Sequence, residues 1–253
     1  MFDSDDWEAH WENFSSATDY EPARQWRRKL LVSFLNLKGD ERILDIGAGK
    51  GDLIAYLKTI SDKFSFGALE FSSTGLEMIK IVNQGVICGQ INLEEPISPL
   101  LLKQLLSGHA WDIVVCSEVL EHLDDPTEAL RTIKQLTTSA CKIVITVPGG
   151  PIAVVDRAFG HRRHYTKKSL RKSLEAEGLF IERLESTGFP FFNLYRIGLV
   201  IYGKNILGLI EKISTSKPST ILTVLMRIFS WLFQFNKKDG NLGWQLIVVC
   251  RNR

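Results

Sequence analysis

The chain has 253 residues, of which 45% are hydrophobic and 24% are charged, and its formal net charge is +2. These values suit one folded α/β domain with an added segment. The small net charge argues against a nucleic-acid partner, because nucleic-acid-binding proteins usually carry a marked basic surface. Four cysteines, Cys88, Cys116, Cys141 and Cys250, are scattered without metal-ligand spacing, so we expect buried thiols in a reducing compartment and no metal site.

Residues 1–38 are predicted to form an N-terminal lid and a helix. The acidic start Met1–Asp6 argues against a secretory or mitochondrial leader. We therefore expect a cytoplasmic protein, with the inner face of a membrane as the alternative location. Pro22 suits the first turn of a helix that continues to about Leu35. Five aromatic or imidazole side chains precede this helix and either cover a pocket or belong to the core: Trp7, His10, Trp11, Phe14 and Tyr20.

The segment Ile43–Leu53 is the most informative part of the sequence. Its apolar start contains an acid, and three glycines at alternate positions follow before apolar residues return at helical spacing. This pattern predicts a buried strand, a tight turn and the start of a helix. An acid at the turn would repel a pyrophosphate but suits a cationic ligand with an ammonium group, such as S-adenosylmethionine. A glycine turn in another kind of α/β protein is the alternative. The candidate ligand-binding residues here are Asp45, Gly47, Ala48, Gly49 and Gly51.

This segment resembles motif I of class I S-adenosylmethionine-dependent methyltransferases, in which Leu-Asp-Ile-Gly-x-Gly-x-Gly is typical. The later stretch Ser117–Pro126 is similar to the Glu-x-Leu-Glu-His-x-x-Asp-Pro signature of quinone-biosynthesis and related small-molecule O-methyltransferases. The resemblance implies an α/β fold with a Rossmann-like, seven-stranded, mostly parallel sheet, helices on both faces, and S-adenosyl-L-methionine as the cofactor. Five alternations of apolar runs and helical segments also favour such a sheet. The fourth strand lacks the Asn/Asp-Pro-Pro-Tyr motif typical of enzymes that methylate nucleobase amines.

The resemblance also assigns cofactor contacts beyond the glycine turn. Glu70 ends the second apolar run and is implied to bind the ribose hydroxyls, although a Glu after a strand is often a solvated charge. Asn92 stands where the family usually has the Asp that contacts adenine, and its carbonyl oxygen can still accept that hydrogen bond. His122 either faces the cofactor or the active site, or merely orders its loop. The neighbouring candidates are Phe71, Leu93, Ser117 and Glu118.

Arg24 is the candidate for binding the cofactor carboxylate. Related quinone methyltransferases place an arginine there through Asn-Pro-x-Arg, and this chain has Glu-Pro-Ala-Arg at 21–24. A bidentate guanidinium contact suits a carboxylate. Arg27 and Arg28 are alternatives, as is a solvated basic face of the helix.

The segment 156–172 is predicted to contain the catalytic residues. Removing the proton from a hydroxyl as its oxygen attacks a methyl group suits a neutral histidine near pH 7. A Gly-x-His segment of the related quinone methyltransferases overlaps this stretch, which favours His161, with His164 and Tyr165 as alternatives. Surrounding cations are expected to lower the pKa of the histidine. Positioning alone, without a base, is the competing interpretation.

Basic residues crowd the same region, next to a helix predicted over Lys167–Glu177 with Thr166 as its N-cap. Cations at a helix N-terminus oppose its dipole, so an anionic substrate or an anionic lipid surface would relieve the conflict. A solvated run of charges is the default interpretation. The residues concerned are Arg157, Arg162, Arg163, Lys167, Lys168, Arg171 and Lys172.

The segment 189–239 departs most from the family, which usually joins its last two strands by a short hairpin. These strands are predicted at Phe180–Thr187 and Trp244–Arg251, so the methyltransferase core comprises 39–188 and 240–253. The intervening segment is apolar and aromatic. It can form a helical cap or a dimer interface, or a surface that enters the membrane interface. Its short and interrupted apolar runs disfavour a membrane-spanning helix.

The sequence therefore predicts methyl transfer from S-adenosyl-L-methionine to a hydroxyl of a small-molecule or lipid-linked acceptor. The alternatives are an RNA or protein methyltransferase and a non-catalytic member of the fold that binds the cofactor.

Overall fold

The computed structural model describes residues 6–14, 21–107, 110–215 and 220–253. A single seven-stranded sheet has the order β3-β2-β1-β4-β5-β7-β6. Strands β1 to β5 are parallel, and β7 runs antiparallel to both β5 and β6. The strands are β1 (Arg42–Ile46), β2 (Ser65–Glu70), β3 (Ile87–Gln90), β4 (Ile113–Ser117), β5 (Lys142–Pro148), β6 (Leu179–Thr187) and β7 (Gln245–Asn252).

Helices cover both faces of this sheet, as the run of buried apolar residues in the central strands requires. Alternate residues of one strand point to opposite faces, so Leu44 and Ile46 join one apolar cluster while Ile43 joins the other. The predicted α/β fold class is therefore confirmed. The helices are α1 (Trp7–Phe14), α2 (Pro22–Leu35), α3 (Asp52–Lys58), α4 (Ser73–Val82), α5 (Pro99–Leu105), α6 (Thr127–Gln135), α7 (Val154–Ala158), α8 (Lys167–Ala176), α9 (Phe191–Thr215) and α10 (Thr220–Leu232).

The described residues between β6 and β7 include the helices α9 and α10 and a short 3₁₀ turn. Asn193 and Arg196, which interrupt the apolar character of the first run, both lie within α9. Both polar side chains are buried and have partners. The amide of Asn193 donates to the carbonyl of Leu242 at 2.7 Å, and Arg196 pairs with Asp156. A buried polar group that has its hydrogen bonds need not end a helix.

Two local predictions are confirmed. Pro22 begins α2, and the Thr166 hydroxyl accepts a hydrogen bond from the Ser169 amide at 3.0 Å at the start of α8. Among the described helices, none combines the length and the apolar character needed to cross a bilayer.

The order of the strands reverses between β1 and β4. Strands β2 and β3 are added on one side of β1, and β4 pairs with its other side. Ligands of such sheets bind at this switch point, at the carboxyl ends of the strands.

Candidate active site

A cavity of about 630 Å³ opens at the carboxyl ends of β1, β2 and β4. Acidic residues and the glycine turn form one end of it. Histidines and the apolar inner sides of α7, α9 and α10 form the other. Predicted site residues that line the cavity are Arg24, Asp45, Gly47, Ala48, Gly49, Glu70, Phe71, Asn92, Leu93, Ser117, Glu118, His122 and His161.

The amides of the glycine turn are used within the protein. Gly47 and Ala48 both donate to the carbonyl of Leu69, at 2.8 and 3.0 Å, and Gly49 donates to Oε2 of Glu70 at 2.8 Å. The turn needs glycine because Gly47 and Gly49 have φ values of 71° and 57°. With its amides taken and a carboxylate beside it, this turn is a poor cradle for a pyrophosphate.

Three carboxyl groups lie close together at this end of the cavity. Burial, followed by the neighbouring charges of Glu70 and Asp52, raises the pKa of Asp45 to about 8. Burial also raises the pKa of Glu70, although amides of Ser72 and Gly49 donate to its carboxylate and act in the opposite direction. Such a site gains free energy when a cation or a hydroxyl donor enters it. These carboxyl groups therefore fit S-adenosylmethionine, which has an ammonium group, a sulfonium and ribose hydroxyls but no phosphate.

Helix α1 covers the glycine turn. A Cβ added to Gly49 would lie 2.7 Å from Cζ2 of Trp11, whose side chain is buried. The Glu8 carboxylate holds the helix in place by accepting hydrogen bonds from the Ser73 amide at 2.7 Å and the Thr74 amide at 2.9 Å, at the start of α4. The side chains of His10 and Phe14, and all of Tyr20, lie outside the described residues.

Arg24 lies beside the glycine turn, where the carboxylate contact is predicted. Its guanidinium is 2.9 Å from a carboxylate oxygen of Asp52 and lies over the ring of Trp11, 5.6 Å from the ring centroid. Arg27 instead faces Glu118, with Nε 3.6 Å from Oε2. Arg28 stacks over the ring of Tyr56. Among these three arginines, Arg24 is the one whose guanidinium pairs with the carboxylate of Asp52, directly after the glycine turn.

Glu118 lines the cavity and its backbone has a φ of 56°, which a non-glycine residue rarely adopts. Its Oε1 accepts hydrogen bonds from the Thr146 hydroxyl at 3.0 Å and from the buried Gln245 amide at 2.7 Å. The Ser117 hydroxyl in turn lies 2.8 Å from that of Thr146. These contacts fix the Glu118 carboxylate between the cofactor end and the histidine end.

The histidines predicted for catalysis form a hydrogen-bonded chain. Nδ1 of His164 is 3.1 Å from the carbonyl oxygen of Gly150, and Nε2 of His164 is 3.2 Å from Nδ1 of His161. A carbonyl can only accept, so Nδ1 of His164 carries the proton. Burial lowers the pKa of His164, so its Nε2 is an unprotonated acceptor at neutral pH. His161 must then donate from Nδ1, which leaves its own Nε2 unprotonated.

The pKa of His161 is lowered to about 2, chiefly by burial and then by the nearby ring of His122. Lowering by surrounding cations was expected, but burial is the larger cause and the cation involved, Arg196, comes from α9. The rings of His122 and His161 are perpendicular, with centroids 4.7 Å apart. His122 therefore lies between Trp7 of α1, 4.8 Å away, and the histidine chain.

Tyr165 does not join this group. Its hydroxyl donates to the carbonyl of Leu120 at 3.1 Å, its side chain is buried, and burial raises its pKa.

Asn92 lines the cavity, but its carbonyl oxygen already accepts from the Glu94 amide at 3.1 Å, so only its second lone pair is available for an adenine amine.

Several of the basic residues around α8 have partners inside the protein. Arg162 pairs with Asp124 at 2.9 Å, Arg163 donates to backbone carbonyls, and Lys167 donates to the carbonyl of Gly240 at 2.7 Å. The expected conflict with the helix dipole is thus relieved in part without an anionic ligand.

Two groups of side chains in the described residues have the composition of a metal site. One consists of Glu121, His122 and His161, and the other of Asp156, His161 and His164. The Asp156 carboxylate is already neutralised by a bidentate pair with Arg196. Burial, then the charge of Glu118, raises the pKa of Glu121 well above its usual range, which disfavours the charged carboxylate that a metal ion would need.

The class of protein follows from this fold and from a family model. The chain belongs to the methyltransferase domain family, whose model matches residues 18–184. It is an S-adenosylmethionine-dependent methyltransferase, as the motif resemblance implied.

Individual relatives are more distant. The chain is 26% identical over 176 residues to the ubiquinone biosynthesis O-methyltransferase of Aeromonas salmonicida, covering 62% of this chain and 71% of the relative. A TehB-like SAM-dependent methyltransferase from Corynebacterium glutamicum has a similar fold, with a TM-score of 0.53 at 14% identity over 99% and 97% of the two chains. Phosphoethanolamine N-methyltransferase 2 of Haemonchus contortus, solved with S-adenosyl-L-methionine, gives a TM-score of 0.55 at 15% identity over 90% and 52%.

Sequence reasoning missed several residues of the site. Glu121, Asp156, Arg196 and Gln245 line the cavity or support its histidines, yet none was selected as a site residue. Glu121 stands inside the recognised signature and could have been found there. Arg196 and Gln245 lie far along the chain from their partners, and no local pattern marks them.

Proposed function

We propose that this methyltransferase acts on a hydroxyl of a small-molecule or lipid-linked acceptor and that His161 removes the hydroxyl proton. The observation that carries the proposal is the histidine chain from Gly150 through His164 to His161. This chain leaves an unprotonated ring nitrogen on a side chain that lines the cavity.

The low pKa of His161 has a specific meaning for this role. The ring stays neutral throughout the physiological range and so is always able to accept a proton. It is a weak base in equilibrium terms. Acceptance is therefore favourable only while the hydroxyl is losing its proton. The Asp156 carboxylate, although it is paired with Arg196, favours the developing imidazolium of His161, because its charge acts to raise the pKa of that ring. The distance between Nε2 of His164 and Oδ2 of Asp156 is 3.6 Å.

The cofactor, when bound, supplies an electrophilic methyl group on a sulfonium. The proposed contacts are the Asp45 carboxylate for the ammonium group, Glu70 for the ribose hydroxyls and Arg24 for the carboxylate, with the glycine turn below them. Asn92, Phe71 and Leu93 border the proposed adenine position. The acidic, phosphate-excluding character of this end supports these assignments.

The other end of the cavity supports an acceptor with an apolar part. Its walls come from Val155 and Phe159 near α7, Leu199 and Ile206 on α9, and Met226 on α10. Such walls bind hydrocarbon favourably, while the histidines and Glu118 provide polar contacts for a hydroxyl-bearing head group. The ubiquinone O-methyltransferase relative is consistent with this class of acceptor.

The test is to incubate the purified protein with methyl-labelled S-adenosylmethionine and extracts of its host, and to identify the labelled product by mass spectrometry. An O-methylated product in the organic or aqueous small-molecule phase supports the proposal. Its formation should fall about 10²–10⁴-fold in His161→Ala, the range typical for loss of a general base, and stay unchanged in the surface control Lys103→Gln. Label on RNA, on protein or on a nitrogen atom would overturn it.

A further inference from the structure

We propose that the outer sides of α9 and α10 form a docking surface for an anionic lipid bilayer. The proposal concerns where the protein binds and does not depend on which atom is methylated. We name this surface the α9–α10 face and define it by the exposed residues Leu194, Ile197, Ile201, Val224, Leu225, Ile228, Trp231 and Phe235, the last in the 3₁₀ turn after α10.

Each of the two helices has an inner side and an outer side, and both sides are apolar. The inner Phe229 of α10 and Phe233 of the following 3₁₀ turn pack against Tyr195 of α9, with ring centroids 5.4 and 5.7 Å away. The outer side exposes 46% of Ile228 and 57% of Trp231. The inner residues therefore provide the ring contacts between these helices, whereas about half of each outer side chain remains exposed.

The outer residues recur at helical spacing, so they form stripes rather than scattered exposures. Leu194, Ile197 and Ile201 are three and four positions apart on α9. Ile228, Trp231 and Phe235 follow the same spacing at the end of α10. Single exposed apolar residues are common on protein surfaces, but stripes of this kind indicate an interaction site.

The charge of this segment selects the partner. Residues 189–239 contain seven Lys or Arg residues and only two Asp or Glu residues, in a chain whose net charge is +2. Thus the rest of the chain is slightly acidic, and the positive charge is concentrated in this segment of the sequence. Arg196 is used internally by Asp156, whereas Lys204, Arg227, Lys237 and Lys238 are exposed.

Apolar stripes bordered by cations, with Trp231 among them, are the composition of surfaces that lie in the interface of anionic membranes. A second copy of the chain is a poorer match, because it would bring one positive segment against another. No described helix can span the bilayer, so binding would be peripheral.

The position of the surface supports its use. Leu199, Ile206 and Met226 line the acceptor end of the cavity from the inner sides of the same two helices. Docking through the outer sides would bring this end of the cavity to the lipid.

Vesicle flotation of the full chain tests the proposal. Vesicles of phosphatidylcholine alone are compared with vesicles that also contain phosphatidylglycerol, at low salt and at physiological ionic strength. We expect binding to the anionic vesicles only, weakening as salt is added. Absence of binding to anionic vesicles at low salt would overturn the proposal.

Matched variants test both components of the surface. Ile228→Glu with Trp231→Glu should weaken binding by about tenfold or more, while Leu100→Glu, on exposed α5, should not change it. Arg227→Gln and Lys238→Gln should each weaken binding about fivefold, whereas Lys103→Gln with Lys172→Gln should not. Equal effects of test and control variants would overturn the proposal. It would also be overturned if the protein formed a dimer that Ile228→Glu dissociates and did not bind the vesicles. An unchanged cofactor affinity verifies that each variant is folded.

Discussion

Nδ1 of His161 lies 3.2 Å from Nε2 of His164, and this contact, together with that of Nδ1 of His164 to the Gly150 carbonyl, assigns the proton to one nitrogen of each ring. His164→Phe removes the acceptor while keeping a ring, so His161 loses its preferred tautomer. We expect methyl transfer to fall by roughly tenfold or more, since orientation of the base contributes to its effect. His164→Gln, whose amide oxygen can accept, should recover part of the rate.

The tautomer itself can be observed. Nitrogen NMR of the wild-type protein should show His161 protonated at Nδ1, and a mixture of tautomers in His164→Phe. Since the pKa of His161 is lowered to about 2, its protonation should produce no acid limb in the rate between pH 5 and 8. A limb that disappears in His161→Ala would contradict the assignment.

Asp45 is expected to link cofactor binding to pH. Its pKa is about 8 in the free protein, and a bound ammonium group would lower it, so binding releases a proton. Cofactor affinity should therefore rise as the pH increases towards 8, by at most about tenfold per pH unit. Titration calorimetry of Asp45→Asn should show weaker binding that no longer depends on pH in this way. A pH dependence that persists in the variant would disprove the role of Asp45.

The same group should destabilise the free protein. Its pKa is raised from 3.8 in the unfolded chain to about 8 in the folded protein, so ionisation of Asp45 is unfavourable in the folded state. The free energy of unfolding is therefore highest below pH 3.8 and decreases as the pH rises towards 8. Asp45→Asn is nearly isosteric and uncharged, so it should raise the melting temperature of the free protein at pH 8. Little change is expected at pH 4, where both side chains are neutral or nearly so.

Glu8 is predicted to control how readily α1 opens. Burial raises its pKa, but hydrogen bonds from the amide and hydroxyl of Thr74, the hydroxyl of Ser72 and the amide of Ser73 outweigh this effect and lower the pKa to about 2. Glu8→Ala should loosen α1 and speed cofactor dissociation about fivefold, the effect expected from the loss of one helix cap. Stopped-flow fluorescence can measure this rate. Glu77→Ala, which removes an exposed carboxylate from α4, is the control and should leave the rate unchanged.

Arg196 and Asp156 form a buried ion pair that joins α9 to α7. Arg196→Met leaves the carboxylate without its partner and should lower the free energy of unfolding by roughly 3–5 kcal/mol near pH 7. Arg196 and its charge lower the pKa of Asp156 against the effect of burial. The pair therefore stabilises the wild type above the usual carboxyl pKa, and this contribution is lost as the pH falls below it. The difference in unfolding free energy between Arg196→Met and the wild type should therefore become smaller on acidification, because the unpaired Asp156 carboxyl can then take up a proton. Urea unfolding of both proteins at pH 5 and pH 8 can measure this difference.

The fold was largely predictable because its signals are local. The apolar strands, the glycine turn, Pro22 and Thr166 each act within a few residues of their own position. The contacts of Arg196 with Asp156 and of Gln245 with Glu118 were not predictable, because they join segments 40 and 127 positions apart. Burial was also underestimated. The pKa of His161 depends on packing from several elements, whereas the sequence displays only the cations next to it.

Strands β6 and β7 pair over eight registered positions, and the 189–239 segment leaves and re-enters the sheet at one end of this pair. The glycine turn lies on the other side of β4, built from residues that precede the segment in the chain. Replacement of the segment by a longer or shorter one would therefore leave the hairpin base intact. The residues that line the acceptor end from this segment, Leu199, Ile206 and Met226, can therefore vary without altering the glycine turn, whereas Arg196 must be kept to neutralise Asp156.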